Sequence, residues 1–130
     1  MAFFQCISLK QVLFDANSKL TRIESYAFDE CHSLEQITFP PSLKTIGDDA
    51  FHHCIGMKQV IFQSPSSLIS IGKEAFLKCS SLSSISIPSS VTRINDMAFG
   101  ECPLLRQISI PSSINIENLG LNDDITVDII

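Results

Sequence analysis

Five cysteines and three histidines are the side chains of this 130-residue sequence best suited to chemistry. Cys6, Cys31, Cys54, Cys79 and Cys102 could pair as disulfides, ligate a metal or supply a nucleophile. His32 adjoins Cys31, and His52 and His53 precede Cys54, which raises a Cys/His zinc site. Neither a C-x-x-C nor an H-x-x-x-H pair occurs, so zinc is not expected. The cysteines recur at spacings of 25, 23, 25 and 23 residues. A nucleophile has no reason to return in every unit. An odd number leaves at least one thiol unpaired, and stacked side chains point in parallel rather than at each other. A cysteine at a fixed inward position acts as a small hydrophobe, so buried free thiols are expected. The acids Asp48, Asp49, Asp96, Asp123 and Asp124 form no Asp-x-Asp-x-Asp-Gly calcium loop. No phosphate loop and no G-x-S-x-G elbow is present. The sequence thus offers no catalytic constellation, and neither enzyme activity, nor a metal, nor a cofactor is expected.

The same spacing organises the whole chain. Ala-Phe occurs five times, at Ala2-Phe3, Ala27-Phe28, Ala50-Phe51, Ala75-Phe76 and Ala98-Phe99. Each cysteine follows at a constant offset, then Leu9, Leu34, Met57, Leu82 or Leu105. Val12, Ile37, Val60, Ile85 and Ile108 come next, followed by Phe14, Phe39, Phe62, Ile87 and Ile110. The two extra residues of the longer units fall between that Phe and the next Leu, in residues 15–19 and 63–67. The corresponding turns at 40–42, 88–90 and 111–113 are short and begin with Pro. An insertion that leaves the apolar register intact lies on the outside of a coil.

Gln36-Ile37-Thr38-Phe39 alternates outward and inward, the pattern of a short strand with one buried face. Pro40 and Pro41 end it. Gly47, Gly72 and Asn95 follow an inward Ile and predict a sharp corner at positive φ. The Ala-Phe-x-x-Cys-x-x-Leu segment spaces its apolar residues by three, which predicts one or two helical turns. Asp48, Asp49, Glu74 and Asp96 would then sit favourably near helical N-termini. Each unit would bury about eight side chains, such as Ala27, Phe28, Cys31, Leu34, Ile37, Phe39, Leu43 and Ile46, which only stacked neighbours can cover. The expected fold is a solenoid of four to five coils of 23–25 residues, with a parallel β-sheet on one face, short helical turns and a Phe spine. Residues 1–114 form the solenoid and 115–130 a divergent capping tail, whose alternating residues 125–129 suggest a last strand. Further repeats or a partner are expected to cover the N-terminal end, because solenoids need capped ends.

Composition bounds the partners. Apolar residues make up 45 % of the chain, which fits a packed core rather than disorder. The net charge of -5 argues against a nucleic-acid binder, which needs a basic face. No apolar run is long enough for a membrane span, so membrane insertion is not expected. The opening Met1-Ala2-Phe3-Phe4-Gln5 lacks the basic and apolar regions of a signal peptide. What remains is the outward strand face. One row reads Gln11, Gln36, Gln59, Ser84 and Gln107, and the next Leu13, Thr38, Ile61, Ser86 and Ser109. Stacked glutamines could simply bond to one another along the coil axis. The alternative is a nearly neutral concave surface with apolar spots at Leu13 and Ile61, of the kind solenoids use for extended ligands.

The unit resembles the BspA-like leucine-rich repeat, I-P-x-S-V-x-x-I-G-x-x-A-F-x-x-C-x-x-L. The match is close over residues 85–99 and again over residues 41–51, and it extends from residue 2 to about 114. The resemblance implies an adhesin-like surface antigen, or a segment of one, of anaerobic bacteria or parasitic protists, located at the cell surface or secreted. It implies a non-catalytic binding module. The partner would be another protein, from the host matrix, a cell surface or a neighbouring cell, or else a glycan. The competing expectation is a structural spacer within a longer repeat protein, with no ligand of its own.

Overall fold

A computed structural model describes residues 2–130; Met1, part of the opening segment read above, lies outside the described residues. The chain winds into stacked coils, each beginning at an Ala-Phe pair. Each of the first four coils contributes two strands. β1 is Gln11–Val12 and β2 Arg22–Ile23 in the first coil, and β3 is Gln36–Phe39 and β4 Thr45–Ile46 in the second. β5 is Gln59–Phe62 and β6 Ser70–Ile71 in the third, and β7 is Ser84–Ser86 and β8 Arg93–Ile94 in the fourth. β9, Gln107–Ile110, belongs to the fifth, and the tail adds β10, Thr126–Ile129. All pairing is parallel, as successive coils of a solenoid require. The front face holds β1-β3-β5 and β7-β9-β10, and the second face the ladder β2-β4-β6-β8. The sequence reading placed a sheet on one face only; the two-residue strands of the second face were too short to show a period.

The core follows the repeat. Ala27, Phe28, Cys31, Leu34, Ile37, Phe39, Leu43 and Ile46 are all buried. Phe3, Phe28, Phe51, Phe76 and Phe99 stack in one column, with centroids 4.9, 5.1, 5.3 and 5.6 Å apart and planes within 7° of parallel. Phe39 meets Phe51 edge-on at 5.6 Å, which ties the front strand to the spine. Such contacts add to the burial of the rings themselves.

The expected helical turns do not form. Among the described residues there is no helix. In the Ala-Phe arc, alternate N–H groups leave their own coil: Tyr26, Phe28 and Glu30 donate to Asp48, Ala50 and His52 of the next. Phe51 and His53 donate to Ala75 and Leu77, and Phe76 and Lys78 to Ala98 and Gly100. A helix would spend these donors internally. The backbone reaches outward because the residues before Ala (Tyr26, Asp49, Glu74, Met97) and before Cys (Gln5, Glu30, His53, Lys78, Glu101) all have positive φ. The apolar spacing of three therefore arises from successive tight turns, not from helix. The acids do not serve helix N-termini; Asp48 instead accepts the Lys73 N–H at 2.7 Å.

The expected positive-φ corner is also corrected. Gly47, Gly72 and Asn95 are absent from the positive-φ positions, and Gly120 is the glycine found there. Gly47 and Gly72 are needed for close approach: a Cβ at Gly47 would lie 2.6 Å from the Ser25 nitrogen, and one at Gly72 2.5 Å from the Asp48 nitrogen. Their N–H groups bond to Ile23 and Ile46 of the preceding coil at 2.8 Å, so the coils have no room to part.

The arc conformation makes a prediction whose sign separates it from a helix. Lys78→Val should lower stability by about 1–2 kcal/mol, the cost of a side chain branched at Cβ in the left-handed region. Lys78→Gly should be neutral or stabilising. In a helical turn the order would reverse, with Gly the worse by a few tenths of a kcal/mol. Urea midpoints of the two variants decide.

Candidate binding face

The strand rows stand where the alternation put them, within limits. Gln11, Gln36 and Gln59 are in register across β1, β3 and β5, and Thr38 pairs with Ile61. Ser84 pairs with Gln107, and Ser86 with Ser109, across β7 and β9. Leu13 lies beyond the end of β1 and is 74 % exposed, an isolated apolar knob beside the row. The two halves are not joined: no ladder connects Gln59 and Ile61 to Ser84 and Ser86. The face is thus two short rows, with Gln11, Gln36, Thr38, Gln59 and Ile61 in one and Ser84, Ser86, Gln107 and Ser109 in the other.

Among the described residues no hydrogen bond joins two glutamine side chains of these rows. Gln107 instead donates to Asp128 on β10 at 2.9 Å. The amides of Gln11, Gln36 and Gln59 are therefore open to a partner. Lys58–Glu35 at 3.5 Å and Arg106–Asp124 at 3.3 Å flank the rows. Both pairs are well exposed and contribute little to stability. They neutralise the margin and leave the rows themselves uncharged. Asp128 and the Arg106–Asp124 pair escaped the sequence reading; the alternation of the tail, which places Asp128 outward beside Ser109, was the available signal.

The cysteines are accounted for by the core. All five are free thiols. Cys31, Cys54, Cys79 and Cys102 donate their S–H to the carbonyls of Phe3, Phe28, Phe51 and Phe76 in the preceding coil, at 3.1 to 3.3 Å. Each thiol thus satisfies a backbone acceptor at the spine. Burial raises the Cys54 and Cys79 thiols well above the ordinary range, and raises Cys102 to about 11. Such groups stay protonated and unreactive at neutral pH. His52 bonds to the buried Asp29 through Nδ1 at 2.9 Å, and the His32 and His53 rings meet edge-on. Asp49 is raised by burial and then by the Glu74 charge, and it raises the neighbouring Tyr26 hydroxyl in turn. Among the described residues no three His, Cys, Asp or Glu side chains converge as a metal site.

Stacked coils of this length, with a parallel strand ladder on the front, define a leucine-rich repeat solenoid. The chain belongs to the BspA type leucine rich repeat region family, which matches in six copies over residues 1–122. The match runs into the tail, where Leu119 is buried, Met97 and Phe99 donate to Asn118 and Leu119, and β10 continues the front sheet. Among solved structures, the chain is similar to a leucine rich cell surface protein from Faecalibacterium prausnitzii, with 30 % identity and a TM-score of 0.75. That likeness covers 92 % of this chain and 31 % of the other. It is similar also to the pneumococcal vaccine antigen PcpA, with 35 % identity, a TM-score of 0.74, and 78 % and 25 % of the two chains covered. A leucine rich repeat protein of T. pallidum shares the fold at 21 % identity and a TM-score of 0.59. The chain spans less than a third of the length of the first two structures. A search of curated proteins found no match. No helix among the described residues is long and apolar enough to cross a membrane.

Proposed function

We propose that this chain is a non-catalytic protein-binding module of an adhesin-like surface antigen, located at the cell surface or secreted, and that it binds through the outward strand face. The observation that carries the reading is the row Gln11, Gln36 and Gln59: in register, free of mutual hydrogen bonds, and held on a ladder whose other side is core. A row of neutral amides on a rigid ladder, with Ile61 beside it, suits a protein surface, because no charge must be desolvated on binding. The likeness to proteins described as a cell surface protein and a vaccine antigen supports the location. Host matrix and host cell-surface proteins are the partners to try first, with glycans as the next class.

The test compares the protein with its Gln59→Arg/Ile61→Arg variant for binding to immobilised matrix proteins and to cells. Both residues are at least partly exposed, so the fold should survive. Saturable binding, weakened at least about tenfold in the variant, is expected. Equal binding by both would move the site off this face. Binding by neither would favour the spacer role.

A further inference from the structure

The second face carries charge in a way the rest of the surface does not. Residues 19–23, 43–46, 67–71 and 90–94 form β2, β4, β6 and β8 with their approaches. They hold four cations, Lys19, Arg22, Lys44 and Arg93, and none of the 14 acids of the chain. Elsewhere most cations are neutralised. Lys58, Lys73, Lys78 and Arg106 pair with carboxylates at 3.5, 3.4, 3.9 and 3.3 Å. Among the described residues Lys10, Lys19, Lys44 and Arg93 have no such partner, and three of these four belong to the second face. Arg22 meets Glu24 at 3.5 Å, but the two side chains are 67 % and 70 % exposed, so the pair holds only loosely.

The ladder sets these groups in order. Arg22, Thr45, Ser70 and Arg93 are in register across β2, β4, β6 and β8. Beside them runs a second row, Thr21, Lys44, Ile69 and Thr92, joined by backbone hydrogen bonds of 2.8, 2.8 and 2.9 Å. This second row is exposed throughout, while Thr45 and Ser70 are sunk between the two arginines. Paired strands repeat at about 4.8 Å, so the backbones at Arg22 and Arg93 stand about 14 Å apart, with Lys44 on a coil between them. The strip is thus a narrow line of fixed cations with hydroxyl groups along it. Gly47 and Asn95 separate it from Asp48 and Asp96, and Asp48 is engaged by the Lys73 N–H at 2.7 Å. No aromatic side chain belongs to the strip.

We infer that the second face binds a sulfated polysaccharide, with Arg22, Lys44 and Arg93 on its sulfate groups and the Thr45 and Ser70 hydroxyls on the sugar between them. The site is separate from the front strand face and does not depend on that reading. An extended chain bearing anions at intervals gains from several cations held on one line. Lys19, Lys44 and Arg93 need break no ion pair to receive it. The planar guanidinium of an arginine presents paired donors that match tetrahedral oxyanions. A nucleic acid fits less well. The strip has no ring for bases to stack on, and a chain of net charge -5 lacks the broad basic face a duplex needs. An acidic peptide fits less well too, because it loses more conformational freedom per charge than a stiff chain of rings.

Titration of the labelled protein with a heparin-derived hexasaccharide, followed by chemical shifts and calorimetry, tests this. The comparison probes are the same hexasaccharide stripped of sulfate, poly-glutamate and a thymidine oligonucleotide. The sulfated probe should bind saturably and shift the amides of Lys44, Thr45, Ser70 and Arg93, leaving Gln36 and Gln59 unmoved. Its affinity should fall about tenfold between about 50 and about 150 mM salt, as expected for about three charge contacts. Lys44→Gln/Arg93→Gln should weaken it at least about tenfold. Lys10→Gln/Lys78→Gln removes the same charge away from the strip and should change the affinity by no more than about twofold. All four side chains are at least partly exposed, so both variants should fold. Absence of binding at low salt, equal losses in the two double variants, or shifts confined to the front face would overturn the inference. So would equal or tighter binding of the desulfated sugar, of poly-glutamate or of the oligonucleotide. Loss of matrix-protein binding in Gln59→Arg/Ile61→Arg bears on the front face alone, so the two readings fail separately.

Discussion

Phe51→Ala should destabilise the protein by about 3–5 kcal/mol, the cost of emptying a buried phenylalanine site. Phe51 is 0 % exposed and lies at the middle of the spine, between Phe28 and Phe76 and against the edge of Phe39. The cavity left by its ring would open at two coil interfaces at once. In a solenoid, stability is nearly a sum of coils and nearest-neighbour contacts, so a central loss weakens both directions of stacking. Phe3 gives the comparison. It belongs to the same column but is 44 % exposed, with one stacked neighbour, at 4.9 Å. Phe3→Ala should cost only about 1 kcal/mol, roughly half of a full aromatic burial or less. Urea melts of the two variants measure the difference directly; equal losses would contradict a continuous stacked core.

Alkali should unfold the protein steeply. The Cys54, Cys79 and Cys102 thiols titrate higher in the folded chain than the ordinary 9.0, because burial disfavours the thiolate. The folded state therefore holds protons that the unfolded chain gives up. The sign follows: stability is fully present below pH 9 and falls as pH rises above it. Each thiol contributes a slope of about 1.4 kcal/mol per pH unit, so three together approach about 4 kcal/mol per unit. The Cys102 contribution levels off near pH 11, its folded value. Cys31 is raised by burial too and acts in the same direction. Two pH units above 9 are then comparable to the whole stability of a small domain. Urea midpoints at pH 7, 9 and 10 check the effect, and a Cys79→Ala variant, referred to its own value at pH 7, should show a shallower decline. A flat profile up to pH 10.5 would mean that the thiols are not in the core.

The residues that face the core were the most legible in the sequence. A side chain repeated at constant offset in every coil, such as Cys54 after Phe51 or Ile37 after Leu34, has one geometric meaning once coils stack. The outward rows were legible for the same reason, because alternation along Gln36-Ile37-Thr38-Phe39 separates the two faces. The arc was misread. Apolar spacing of three is shared by a helical turn and by consecutive tight turns, and the positive-φ positions hold Tyr26, Glu30, His53 and Lys78, types that give no warning of that backbone. Gly47 and Gly72 were assigned to the right slot for the wrong reason: they admit the neighbouring coil's backbone rather than a left-handed φ. The division of the face between β5 and β7 depends on how a long turn settles against a short one. The sequence shows both turn lengths but not the resulting offset between coils.

Site-specific photocrosslinking tests the central claim most directly. A benzoylphenylalanine at position 36 or 59, on the strand face, should crosslink to the bound matrix or cell-surface protein. The same probe at position 17 in the outer turn, or at position 116 near the tail, should not. Crosslinks from positions 17 or 116 alone would place the partner on the outer turns and contradict the account.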